Sequence, residues 1–233
     1  MGSRGSEYSN GKNIENAKDW DELRGAVEKS LSGNMFMSDK FKDKANFEVV
    51  KKGMKAIAKM VKKYPILKGH DLVLDWGVSN ATMNGMTAFG KLTYYSGFYR
   101  KLAPHKFDSE TASYGHPKNF DEEQCLAHEI GHYIEGLMLQ KMNPGASEKE
   151  IIDLYKKDAG FTPLFKEVMT VMRSKGFTGT EKELRGMISK YGEVGGFSEA
   201  GAEAIADVYT NGNNAEMVSK VFVEVLEKKL RSL

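Results

Sequence analysis

The stretch Cys125-Leu-Ala-His128-Glu129-Ile-Gly-His132-Tyr133 decides how the rest of the chain is interpreted. It contains the pattern His-Glu-x-x-His, in which two histidines stand four residues apart and a glutamate directly follows the first. Because positions i and i+4 lie on one face of a helix, both imidazoles can bind one metal ion. Glu129 then lies beside that metal, where a carboxylate can accept a proton from water. The stretch therefore predicts a helix that carries part of a zinc site; the alternative is a helix with two solvent-facing histidines.

The composition is that of an ordinary globular protein. The chain has 233 residues, of which 40% are hydrophobic and 28% charged. A formal net charge of +2 is too small to indicate a nucleic-acid partner, so none is expected. Cys125 is the only cysteine, which excludes an intramolecular disulfide and a cysteine-based structural zinc site. The sequence shows neither a long apolar run nor a signal peptide, so we expect no membrane span; the compartment is left open, with the cytoplasm favoured.

The chain is predicted to have three parts. Residues 1–12 are polar and rich in glycine and serine, and are expected to be a disordered tail left by cloning. Residues 13–68 are predicted to form an N-terminal helical segment, and residues 69–233 a catalytic domain. The fold class that follows is α+β, with a small twisted sheet before the site helix and a mostly helical C-terminal half.

Local patterns predict the individual elements. Apolar residues at helical spacing predict one long helix over residues 39–64, closed by Pro65. Its other face is rich in lysine, which indicates either a contact for anions or membranes, or simply a solvated face. Strands are predicted for residues 72–76 and 86–95. Further helices are predicted near residues 19–31, 121–142, 147–158, 163–174, 180–189, 197–210 and 215–230, with an irregular link at 191–196.

A catalytic zinc site needs a third protein ligand, and no histidine follows His132 in the chain. His70, His105 and His116 precede the motif and are interpreted as ordinary surface histidines. The third ligand is therefore expected to be a carboxylate. The best candidates are three acids spaced four apart, in a segment whose small residues let two helices approach closely: Glu199, Glu203 and Asp207. One acid would bind zinc and the next would orient a ligating histidine; the alternative is an exposed acidic stripe.

These motifs resemble those of the gluzincin-type zinc metallopeptidases. His-Glu-Ile-Gly-His at 128–132 and Glu-Ala-Gly-Ala-Glu-Ala-Ile-Ala-Asp at 199–207 are most similar to the lethal-factor-like group and to zincin domains of phage and mobile-element proteins. The resemblance covers roughly residues 80–225. It implies that Glu199 is the zinc ligand, that Glu203 supports the site from the second shell, and that Tyr191 hydrogen-bonds the developing oxyanion.

The chain departs from the family pattern in two places. The family's aromatic pair after the ligand is Ala200-Gly201 here, and Tyr191 stands one residue further from Glu199 than the family spacing. A thermolysin-like register is the alternative, with Glu203 as the ligand and Asp207 as its supporter. The Glu199 register is favoured because it also gives Tyr191 a role; otherwise Tyr191 is a packing residue at a helix end.

The function that the resemblance implies is zinc-dependent hydrolysis of peptide bonds, with an endopeptidase expected. Zn²⁺ would be held by His128, His132 and Glu199, and Glu129 would act as the base. A peptide or protein substrate would add to the sheet edge at residues 86–95. One alternative is a catalytically silent zincin-like module for binding or assembly in a phage or mobile-element protein. Another is a protein whose basic helix contacts nucleic acid or membrane and whose zinc site is purely structural. The oligomeric state is left open.

Overall fold

The computed structural model describes residues 13–75, 86–88, 91–95 and 121–233. This part of the chain is mostly helical with one small sheet, which confirms the predicted α+β class. The predicted tail at residues 1–12 lies outside the described residues.

The described residues belong to two compact units. One unit contains the residues up to 95 together with 121–129, and the other contains residues 130–233. The division falls inside a helix that continues from Glu122 to Met142. The boundary that the sequence predicts near residue 69 stays a prediction.

In the first unit, side-chain caps set where the helices begin. Helix α1 (Trp20–Leu31) starts after Asp19, whose carboxylate accepts hydrogen bonds from the first-turn backbone. The single helix predicted over residues 39–64 is wrong, because α2 (Asp39–Lys44) and α3 (Phe47–Lys63) replace it. Asn46 causes the break: its side chain accepts from two backbone N–H groups of the following turn and so starts a new helix.

Within the described residues the sheet has four strands, and it differs from the prediction at β1 and at residues 86–95. Strand β1 (Met35–Met37) was not predicted, since three residues are too few for a strand pattern. It pairs in parallel with β2 (Asp71–Asp75). The predicted strand at residues 86–95 is divided into β3 (Met86–Ala88) and β4 (Lys91–Tyr95), which pair antiparallel. The strand order is β1-β2-β4-β3, and β4 runs parallel to β2.

Lysines on the basic face of α3 form ion pairs with acidic residues of the same chain. Their side chains form ion pairs with acids on other elements and on α3 itself, at nitrogen–oxygen distances of 2.8 to 3.3 Å. Most of these pairs are exposed, and such pairs contribute little to stability. The pairs are Lys51 with Glu48, Lys52 with Asp121, Lys55 with Glu15, and Lys59 with Glu123. They favour the interpretation that needs no external anion.

The predicted C-terminal helices are present with small shifts of their ends. The predicted irregular link at residues 191–196 is instead part of a helical run that leaves helical geometry at Gly196, where φ is +95°. A positive φ of this size favours glycine. The helices are α4 (Glu122–Met142), α5 (Glu148–Tyr155), α6 (Thr162–Ser174), α7 (Glu181–Gly186), α8 (Lys190–Asn211) and α9 (Met217–Arg231). Of the helices in the described part of the chain, none combines the length and apolarity needed to span a bilayer.

Aromatic rings fill the centre of the second unit. Phe222 on α9 stacks on Phe165 at a centroid distance of 4.7 Å and meets Phe161 edge-on at 5.2 Å. Gly201 on α8 lies directly against two of these rings, so that a Cβ atom there would stand 2.8 Å from Phe222. This glycine lets α8 pass close to the aromatic cluster.

We expect Gly201→Ala to destabilise the protein by about 1–3 kcal/mol, because the added methyl overlaps buried rings that have no room to move. Gly136→Ala on α4 is the matched control. A Cβ at Gly136 meets nothing within 4 Å, so this change should stabilise the protein by up to about 1 kcal/mol, because alanine has the higher helix propensity. Urea unfolding of both variants measures the difference. Equal stability of the two variants would contradict the packing described for Gly201.

Candidate metal centre

The helix that carries His-Glu-x-x-His begins at a side-chain cap. The Asp121 carboxylate accepts a hydrogen bond of 3.0 Å from the Gln124 backbone N–H. Only this half of a capping box is formed, because the Gln124 side chain is fully buried and has no hydrogen-bond partner among the described residues. Gln124 stands four residues before His128 on α4, so the two side chains lie on the same face of the helix.

Three of the predicted site residues come together. One ligand atom from each of His128, His132 and Glu199 lies within 4.8 Å of the other two. Both histidines are buried, and Glu199 is partly exposed with 27% of its side chain accessible. Among the described residues, these three form the one group of His, Cys, Asp and Glu side chains close enough to share an ion.

One distance in the cluster matches the spacing around a small, tetrahedrally coordinated ion. His132 Nε2 lies 3.3 Å from Glu199 Oε2. Ligand atoms at about 2.1 Å from a tetrahedral zinc are about 3.4 Å apart, so this pair already has the required spacing. Two imidazole nitrogens and one carboxylate oxygen also match the donor set of catalytic zinc sites, which leave a fourth position for water. An ion pair alone would explain the His132–Glu199 distance but not the third member, His128.

Small residues bring α8 close to α4. A Cβ at Gly131 would stand 2.9 Å from the Ala202 Cα and 3.3 Å from the Ile205 side chain. A bulkier pair would move the helices apart, and Glu199 would no longer reach His132. This agrees with the interpretation of the alanine- and glycine-rich segment in the sequence.

The other predicted residues lie around the cluster but are not part of it. Glu129 is half-buried on α4, and Tyr191 is half-buried in the first turn of α8. Gly192, directly after Tyr191, packs on Ala200, the residue after Glu199. The chain therefore returns to the neighbourhood of the predicted ligand. The catalytic roles of Glu129 and Tyr191 stay predictions.

The downstream acids differ in what they do. Glu203 is fully buried one turn after Glu199 and is not in the group of three. Asp207 accepts hydrogen bonds from the Asn211 side chain at 2.7 Å and the Glu216 backbone at 2.9 Å, one on each carboxylate oxygen. Asp207 therefore closes the C-terminal end of α8, which disfavours its role as a supporter in the thermolysin-like register.

Of the three upstream histidines, His70 is the one that lies among the described residues. His70 is half-buried just before β2, and burial lowers its pKa. It does not belong to the group formed by His128, His132 and Glu199. His105 and His116 lie outside the described residues, so their predicted surface location stays a prediction.

A buried hydrogen-bond chain behind His132 was missed in the sequence. His132 Nδ1 lies 3.2 Å from Ser198 Oγ, which donates a hydrogen bond of 2.6 Å to Glu135 Oε2. The second oxygen of Glu135 accepts from the Phe161 backbone N–H at 2.9 Å. One signal was present in the sequence, because Glu135 stands three residues after His132 and so shares its helix face. Ser198 offered no signal beyond its place next to Glu199.

The loop between α5 and α6 supports both ends of this arrangement. Asp158 accepts a hydrogen bond of 3.2 Å from the Phe197 backbone N–H, at the start of the turn that carries Ser198 and Glu199. Gly160 lies so close to the Glu135 side chain that a Cβ atom there would overlap it. The loop thus contacts the turn that carries Ser198 and Glu199 on one side and Glu135 on the other.

Burial sets the protonation of Glu135. Its side chain is fully buried, and this burial raises the carboxyl pKa from its usual 4.5 to about 7. The hydrogen bond from Ser198, the charge of His132 and the hydrogen bond from Phe161 all act in the opposite direction. A bound cation nearby would favour the ionised form further.

No family model matches the chain, and neither does any curated protein or solved structure.

We expect the metal-free protein to lose about 3 kcal/mol of stability as the pH rises from about 4.5 to 7 through Glu135 alone. In this window the unfolded carboxyl ionises while the folded one keeps its proton, so the unfolded state is favoured. Above pH 7 both forms are ionised and the loss is complete. Glu135→Gln has no proton to release there, so its stability should fall less with pH.

Denaturant unfolding across this pH range, in excess chelator, measures the slope for the parent and Glu135→Gln. Glu224→Gln, at an exposed position on α9, is the control and should keep the parent slope. If the stability of Glu135→Gln falls with pH as steeply as that of the parent, the pH dependence does not come from Glu135.

Proposed function

We propose that this protein is a zinc-dependent peptidase, an endopeptidase of the gluzincin type, with a peptide or protein as substrate. The observation that carries the proposal is the convergence of His128, His132 and Glu199, with ligand atoms within 4.8 Å of one another. Two of these residues belong to a His-Glu-x-x-His helix, which places a carboxylate directly beside the first ligand.

The donor set is what zinc uses in catalytic sites, and it is incomplete for a structural one. Structural zinc sites are closed by four protein ligands, whereas the described cluster supplies three. When bound, zinc supplies Lewis acidity that lowers the pKa of water and polarises a carbonyl. The partial exposure of Glu199 is consistent with solvent or substrate reaching this position.

The chain's own residues then divide the work. Glu129 accepts the proton of the attacking water and passes it to the leaving amine. Tyr191 donates a hydrogen bond to the oxyanion that develops on the scissile carbonyl. Glu203, buried one turn after Glu199, supports the ligands from behind. The edge strand β3 is the proposed place where the substrate backbone pairs with the sheet.

A catalytically silent module for binding or assembly is the second candidate. A module that only binds zinc or a partner has no use for a base at position 129, and Glu129 is present. The two candidates are separated by cleavage of a mixed peptide library with and without chelator. Chelator-sensitive cleavage supports the peptidase, and the absence of cleavage by the zinc-loaded protein supports the silent module.

We expect Glu129→Gln to retain zinc and to lose cleavage by a factor of about 10²–10⁴, because the amide cannot accept the proton from water. Zinc content by metal analysis and turnover of a fluorogenic peptide measure the two effects. Glu148→Gln, exposed at the start of α5, is the control and should match the parent in both. Normal cleavage by Glu129→Gln would contradict the mechanism.

The two ligand registers predict opposite orders of zinc affinity. We expect Glu199→Ala to weaken zinc binding by more than about 100-fold, since it removes a direct ligand, and Glu203→Ala to weaken it by about 10–100-fold. Competition with a chromophoric chelator measures both affinities. A larger loss for Glu203→Ala would favour the thermolysin-like register.

A further inference from the structure

We propose that Ser198 and Glu135 are positioning residues that hold His132 with its proton on Nδ1 and so present the Nε2 lone pair to the metal. The inference deepens the proposed zinc site and rests on it. Neither residue belongs to the motifs recognised in the sequence, and neither is a ligand in the cluster.

The direction of the hydrogen bonds follows from counting protons. Ser198 has one hydroxyl proton, and its 2.6 Å contact with an ionised Glu135 uses that proton. The Ser198 oxygen can then only accept from His132, at 3.2 Å. His132 therefore carries a proton on Nδ1, and a metal at Nε2 would replace the proton that Glu199 Oε2, 3.3 Å away, otherwise accepts from that nitrogen.

Glu135 is itself fixed by its second oxygen. Phe161 N–H donates to Oε1 at 2.9 Å, and the Glu135 side chain has no exposed surface. Because a buried N–H without an acceptor is costly, the oxygen facing Phe161 has to stay an acceptor. The chain of bonds therefore has one polarity from the Phe161 backbone and His132 towards Glu135.

Glu135→Gln should reverse this polarity with almost no change of shape. The amide oxygen has to face Phe161, so the amide NH₂ faces Ser198 and donates to it. The Ser198 hydroxyl then donates its hydrogen bond to His132 Nδ1. The neutral ring must carry its proton on Nε2, where it competes directly with the metal.

The test reads the tautomer and the zinc affinity separately. The ring nitrogens of His132 are observed by ¹⁵N–¹H correlation spectroscopy at about pH 8.5, above the pKa of about 7 of Glu135. The protein is metal-free and carries Glu199→Ala, which removes the acceptor beside Nε2. Zinc affinity is measured at the same pH by chelator competition, with Glu199 intact. The variants are Glu135→Gln, Ser198→Ala and the control Ser219→Ala.

Ser219 is the matched control because it is a fully buried serine on α9 whose hydroxyl has no hydrogen-bond partner within the described ranges. We expect Nδ1–H in the parent and in Ser219→Ala, and Nε2–H in Glu135→Gln. Ser198→Ala should lose the preference. Zinc affinity should fall about 10–100-fold in Glu135→Gln and Ser198→Ala and stay at the parent value in Ser219→Ala.

Two outcomes would overturn the inference. One is Nε2–H in the parent, and the other is an unchanged tautomer in both Glu135→Gln and Ser198→Ala. If Glu135→Gln does not fold, Ser198→Ala, which removes one oxygen atom, decides between the outcomes. A parent protein that binds no zinc would instead remove the proposed function, and the tautomer would still be measured in the metal-free protein.

Discussion

The candidate site depends on the close approach of α8 to α4, where Gly131 lies against Ala202. A Cβ atom on Gly131 would stand 2.9 Å from the Ala202 Cα, so the spacing leaves no room for a larger residue. The turn of α8 that carries Ser198 and Glu199 lies only a few residues before this contact. The Glu199 carboxylate reaches His132 because the two helices meet through residues with little or no side chain. Larger residues would bury more apolar surface here but would hold the helices further apart.

The interior of the second unit combines this apolar contact with a buried polar chain. Ser198 and Glu135 have little or no exposed surface, and burying such groups without partners would cost several kcal/mol. Hydrogen bonds from Phe161 N–H and Ser198 to the Glu135 carboxylate offset much of this cost. In our proposal, this chain of hydrogen bonds fixes the orientation of the His132 imidazole.

Much of the fold could be predicted from local patterns, and the errors have physical causes. Periodicity predicts the long C-terminal helices because their apolar faces are repeated over many turns. The predicted helix over residues 39–64 was wrong because the capping side chain of Asn46 outweighs a continuous apolar stripe. Strand β1 escaped prediction because its three residues are defined by pairing with β2 and not by their own pattern.

The sequence by itself determined which helix carries the site and which chemistry it suits, because His128, Glu129 and His132 are related by the fixed geometry of one helix turn. It also narrowed the third ligand to one acidic segment. Only the tertiary structure shows that Glu199 lies beside His132 and that Asp207 binds groups at the end of α8. The physical reason is distance along the chain. Glu135 is 26 residues from Phe161 and 63 residues from Ser198. No local periodicity predicts that side chains so far apart in the chain will share hydrogen bonds.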